Sequence, residues 1–120
     1  MKFYISENQF KNQFMRTNFD NATNTLTITT SYPNYPTFYK TEKKQIYLGY
    51  IETFKKLAIS TDKDKQLIVK YRIEEQSYTT NLVVDRSKIG VLKSHILPFF
   101  EQLEEYEICS DIVELYDSLI

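Results

Sequence analysis

Few side chains in this chain could do chemistry. His95 is the only histidine and Cys109 the only cysteine among 120 residues. A general base needs a positioned partner, and a metal site needs several ligands. Ser94 is the nearest candidate partner for His95 in sequence. A Cys/His nucleophile pair would have to be assembled in space rather than along the chain. Cys109 falls on an apolar row of a helical stretch, near Glu105 and Asp111. Negative neighbours raise a thiol's pKa and suppress thiolate, so Cys109 reads as structural. Adjacent carboxylates such as Glu74–Glu75 and Glu104–Glu105 point apart in regular structure. Asp62 and Asp64 share the turn "TDKDK", which lacks the glycine and glutamate that a calcium loop needs at its sixth and twelfth positions. With only 2 glycines in the chain, the sequence argues against a backbone-built cradle for phosphate. No catalytic group, cofactor site or metal site is expected, and the chain reads as a non-enzyme.

Two stretches could instead recognise a macromolecule. The segment "YPTFYKTEKK" interleaves Tyr35, Phe38 and Tyr39 with Lys40, Lys43 and Lys44. Aromatic faces can stack bases while lysines hold phosphates. Lys70 and Arg72, on the outer face of a strand, could extend such a patch. The plainer reading is that the aromatics fill a glycine-poor core and the lysines solvate it. A sequence pI near 5.8 argues against nucleic acid as the main partner.

The second stretch is the C-terminus, "EQLEEYEICSDIVELYDSLI". Residues 99–120 hold seven of the 16 acidic residues and none of the 15 lysines and arginines, although the net charge is only −1. The charge is therefore strongly segregated. On a helix over roughly 105–119, Ile108, Ile112, Leu115 and Leu119 form one apolar row. Cys109, Val113, Tyr116 and Ile120 form the next. This stripe must be buried against the preceding helix, the sheet or a partner. It is wider than a two-helix contact has to cover, which leaves room for a homodimer. Glu107, Asp111, Glu114 and Asp117 occupy the outer face. That face is either a solvated surface, held in part by the basic body of the same chain, or a docking face for a basic protein. In the docking case the contact residues are Glu104, Glu105, Glu107, Asp111 and Glu114, with Tyr106 or Tyr116 as the aromatic anchor. Complementary charge there would choose the partner and speed its association.

The same stretch, "EEYEICSDIVELYDSL", resembles the second half of the UvrB/UvrC-type helical hairpin, the UVR motif. Tyr106, Glu107, Cys109, Ser110 and Ile112 match that pattern, and Val113-Glu114 stand where the motif has Arg-Asp. The resemblance covers the last quarter of the chain. It implies a hairpin used for protein–protein contact, with Tyr106 packing the turn.

The elements that would position these groups can be read from periodicity. Ser6 to Gln9 has the capping-box form, and Phe10 and Phe14 fall four apart, which predicts a short helix near 7–18. "NTLTITTS" alternates and predicts a half-buried strand with Leu26 and Ile28 on one side. Pro33 and Pro36 predict a Tyr-rich loop. Tyr47, Tyr50, Ile51, Phe54, Leu57 and Ala58 have helical spacing over 43–59, with Glu52, Lys55 and Lys56 off the stripe. Leu67, Val69, Tyr71 and Ile73 alternate with Lys70, Arg72 and Glu74, and "SYTTNLVVD" pairs with them as a hairpin across "EEQS". Asp85 or Ser87 caps a helix carrying Ile89, Leu92, Ile96 and Phe99 or Phe100, which Pro98 kinks or restarts.

The expected architecture is α+β in one domain over 1–120: a small antiparallel sheet, packed helices and a C-terminal helical hairpin. Hydrophobic residues make up 42% and charged residues 26%, ordinary values for a soluble globular chain. No apolar run approaches the ~20 residues of a membrane span, and "MKFYISENQF" has no export-type apolar core. A lone thiol fits a reducing cytoplasm. In size and composition the chain resembles small proteins of phages and mobile elements, among them anti-CRISPR-type inhibitors and toxin-immunity proteins. The function expected first is a protein-binding inhibitor or adaptor whose acidic helix occupies a basic partner surface. An accessory nucleic-acid-binding protein using residues 35–44 and 70–72 is the alternative.

Overall fold

Two β-strands, two helices, two more strands and two more helices follow one another along the chain. The computed structural model describes residues 15–74 and 78–120. Strand β1 is Met15–Asp20 and β2 Thr25–Thr30; helix α1 is Tyr35–Thr41 and α2 Lys43–Ile59. Strand β3 is Leu67–Ile73 and β4 Tyr78–Val84; helix α3 is Leu97–Gln102 and α4 Tyr106–Leu119. The class is α+β, as the sequence leads one to expect.

The sheet order is β1-β2-β3-β4. β1/β2 and β3/β4 are antiparallel, but β2 and β3 run parallel. The sheet is thus mixed where a wholly antiparallel one was expected. Parallel neighbours need a crossover, and α1 with α2 supplies it. The alternation read for β3 holds, since Leu67, Val69, Tyr71 and Ile73 are all buried. So does the β3–β4 hairpin, which runs without a break from Leu67↔Val84 to Ile73↔Tyr78. Helix α2 crosses the inner face of the sheet. A Cβ added at Gly49 would lie 3.7 Å from Leu26 and 3.9 Å from Ile28, ordinary contact distances, so α2 packs on β2 at this turn.

The expected helix near 7–18 falls mostly outside the described residues. Where it enters them, at Met15, the chain is a strand. The expected proline loop is also corrected. Asn34 Oδ1 accepts the Thr37 N–H at 2.9 Å and Pro36 sits in the first turn, so "YPTFYKT" is a helix. Proline belongs there, where its missing donor costs nothing and its φ is already set. Asp85 accepts the Ser87 N–H at 2.9 Å and caps the 3₁₀ turn Arg86–Lys88. The helix that follows widens into a π turn over Leu92–Ile96, with the Leu97 N–H bonded to Leu92 O. Pro98 cannot donate to the turn before it, and the looser winding accommodates that loss. Leu92, Ile96 and Phe100 stay on one buried line through the irregularity.

Glu52 and Lys55 depart furthest from their pattern. Both were placed on the wet side of α2, yet Lys55 is 1% exposed and Glu52 6%. They form an ion pair at 3.8 Å.

Candidate functional site

The C-terminal helices are joined by a tight turn. The Glu104 N–H bonds to Glu101 O at 3.0 Å, and the Glu105 N–H to Phe100 O at 3.1 Å. That pair of bonds is a Schellman closure of α3. It requires a left-handed residue, and Glu104 fills the place with φ 57°. Lys93, before α3, lies 4.2 Å over the Tyr116 ring near the end of α4. The two segments therefore run back along one another as a hairpin. Lys44, in the first turn of α2, pairs with Glu105 and ties the turn to the body.

Helix α4 buries Ile108, Cys109, Ile112, Leu115 and Leu119. The second apolar row is only half consumed: Val113 and Ile120 are exposed and Tyr116 is half-buried. The stripe offered to a second copy is thus largely used within the chain. On the outer face, Tyr106 is 67% exposed and Leu103 46%. Tyr106 and Val113, two turns apart, share a line with Asp117. Glu107 and Glu114 flank it; all five are exposed, while Asp111 nearby is half-buried. Tyr106, which the UVR-like resemblance implies packs the turn, is mostly open to solvent.

Of the residues expected to meet a partner, Glu104, Tyr106, Glu107 and Glu114 share this outer surface. Glu105 is held by Lys44, and Tyr116 is covered by Lys93. Leu103 and Val113 were not foreseen as surface anchors, because apolar residues on an amphipathic pattern read as core. Cys109 is buried, and burial first, then Glu101, pushes its thiol pKa up. It is a packing residue.

The aromatic–basic patch does not assemble. Tyr35 packs edge-on against Tyr71 with ring centres 5.4 Å apart, and Phe38 lies in the same cluster. The Tyr39 and Tyr47 hydroxyls are 3.1 Å apart. Lys43 Nζ sits 5.5 Å from the Tyr47 ring centre and 5.7 Å from that of Phe99. Lys44 is paired with Glu105, and Lys40 is exposed. Lys70 and Arg72 alternate with the buried Tyr71, so they point to the opposite face of the sheet. There they lie in register with Thr27 and Thr29, and Arg16 on β1 is also in register with Thr29. The lysines of α1 and α2 and the cations of β3 therefore lie on opposite faces of the sheet.

A cavity of about 260 Å³ opens between α2, β4 and the π turn, lined in part by Tyr39, Tyr47, Tyr50, Leu82, Lys88 and His95. Its tyrosines are tied down. The Tyr71 hydroxyl donates to Tyr50 at 2.9 Å. Burial raises the Tyr50 pKa to about 12 and pushes Tyr71 up further still. His95 Nδ1 shares a 2.6 Å hydrogen bond with Ser94 Oγ. Among the described residues no carboxylate lines the cavity to orient the imidazole as the third member of a hydrolytic triad would. Among the described residues no cluster of His, Cys, Asp and Glu is placed to hold a metal. Neither is any helix long and apolar enough to cross a membrane. No family model, curated protein or solved structure matches the chain.

Proposed function

We propose that the chain is a protein-binding inhibitor or adaptor that docks through the outer face of its C-terminal hairpin. The observation that carries this reading is the exposed set Leu103, Tyr106 and Val113, placed among Glu104, Glu107, Glu114 and Asp117. An aromatic anchor with aliphatic neighbours and a charged rim is the anatomy of a binding hot spot. The exposed charges of this rim, Glu104, Glu107, Glu114 and Asp117, are acidic, so the matching surface is basic. A groove that normally receives nucleic acid has that character, and filling it is how an anti-CRISPR-type inhibitor would act. Charge would guide the encounter, and burial of Tyr106 and Leu103 would hold the complex.

The test compares affinity capture from host extract by the wild-type chain and by a Leu103→Ala/Tyr106→Ala variant of equal thermal stability. A protein enriched by the first bait and lost from the second is the partner. Its purified complex should weaken as salt rises. Identical enrichment by both baits would remove this face from the function.

A further inference from the structure

The sheet ends on a strand that is composed like an interior one. Among the described residues, β4 is an outer strand of the order β1-β2-β3-β4. Its sequence, YTTNLVV, contains no charged residue, no Gly and no Pro. The other outer strand, β1, carries Arg16 and Asp20. The charge-free strand it most resembles is β2, TLTITT, which is paired on both sides. Outer strands ordinarily carry a lysine, a proline or a bulge, because their free N–H and C=O groups would otherwise recruit another strand. The β3–β4 register shows no bulge.

Exposure points the same way. Thr79, Thr80, Asn81, Leu82 and Val83 are consecutively exposed, so both faces of the strand are open. Val83 is 42% exposed and Leu82 37%.

We propose that β4 is a dimerisation edge on which a second copy of this chain lays its own β4 antiparallel. Two four-stranded sheets then become one continuous sheet. A second copy is the occupant the charges favour. A two-fold axis sets a strand against itself in antiparallel sense, and a strand without charge meets itself without repulsion. The acidic outer face of α4 could not do so. With the axis at Asn81, Thr80 lies opposite the partner's Leu82 and Thr79 opposite the partner's Val83. These are pairs of residues suited to a sheet. The dimer uses neither Tyr106 nor Leu103, so it stands apart from the docking face.

Sedimentation velocity over a range of concentrations measures the dimer. The wild-type chain should associate reversibly. Val83→Lys and Leu82→Lys, both at exposed positions, should each raise the dimer dissociation constant on the order of tenfold by placing like charges near the axis. Asn81→Cys supplies a second readout. Directly opposed Cα atoms in an antiparallel pair lie about 4.5–5.5 Å apart, within disulfide reach. Mild oxidation should therefore yield a covalent dimer through residue 81, while the buried Cys109 stays reduced. A chain that stays monomeric throughout, or a dimer indifferent to both lysine variants, overturns the proposal.

Discussion

The Tyr71 hydroxyl, on a side chain only 3% exposed, donates its hydrogen bond to Tyr50 across 2.9 Å and so joins the sheet to α2. The two ends of this bond are not equivalent. Tyr50→Phe leaves a buried donor with no acceptor, which costs about 1–3 kcal/mol. Tyr71→Phe leaves the less buried Tyr50 hydroxyl, which water can reach, at a cost nearer ~1 kcal/mol. Urea denaturation should rank Tyr50→Phe as the more damaging change. The double variant should be no worse than Tyr50→Phe alone.

The same pair sets the alkaline limit. Burial raises Tyr50 from 10.0 to about 12 and moves Tyr71 in the same direction. Below the unfolded value both states hold the phenolic proton, and the full stability is present. Above it the unfolded chain ionises while the folded chain does not, so stability falls as pH rises from 10 through about 12. Each tyrosine contributes a slope of up to about 1.4 kcal/mol per pH unit in that window. Melts across it should show a steep loss for the wild type and a shallower one for Tyr50→Phe/Tyr71→Phe.

Glu104 sits at φ 57° in the left-handed place of the α3 closure. A residue with a Cβ is strained there by roughly 1–2 kcal/mol, and glycine is not. Glu104→Gly should stabilise the chain by about 1 kcal/mol in thermal or urea unfolding, after the entropy of the freer unfolded glycine is subtracted. Glu104→Val should destabilise it. A strained glutamate on the surface proposed for docking is what function retained at the expense of stability would look like.

What could be read in advance followed from periods that packing enforces. Helix α2 carries a sustained apolar stripe, and β3 alternates because one of its faces meets α2. Helix α1 was hidden because Pro33 and Pro36 look like breakers until Asn34 is seen to cap the turn. The parallel β2/β3 pairing depends on where the crossover sets β3, a relation between distant segments that no local pattern encodes. The acidic face was legible from charge alone. Its anchors were not, because Leu103 and Val113 have the same residue types whether they face water or the core. Parity divides the nucleic-acid patch between two faces: Lys70 and Arg72 lie one residue either side of Tyr71, so burying Tyr71 beneath α1 turns them away from Tyr35 and Lys43.

Glu52 and Lys55 are buried together in α2. Desolvating two charges consumes most of what their attraction returns, so the pair adds little net stability, yet removing one member costs more than removing both. Glu52→Gln removes one charged partner of a buried ammonium and should destabilise the chain, by up to about 3–5 kcal/mol. Glu52→Gln/Lys55→Met should recover much of that loss. Chemical denaturation of the two single variants and the double closes the cycle and gives the coupling between them.

The docking face separates into groups that should act on different rate constants. Tyr106 and Leu103 would be desolvated at the centre of the contact, so removing them acts on dissociation. Tyr106→Ala should weaken the captured complex by about 2 kcal/mol or more, seen as a faster off-rate in surface binding kinetics. Glu114 and Asp117 belong to the rim, where charge steers the approach but remains solvated. Glu114→Lys/Asp117→Lys should slow association at low salt, leave dissociation nearly unchanged, and lose its effect as ionic strength rises. Both positions are exposed, and neither has a role in the core, so the fold should survive the reversal. If the reversed variant associates at the wild-type rate in low salt, the acidic rim does not guide the encounter, and Tyr106 and Leu103 would have to account for recognition without it.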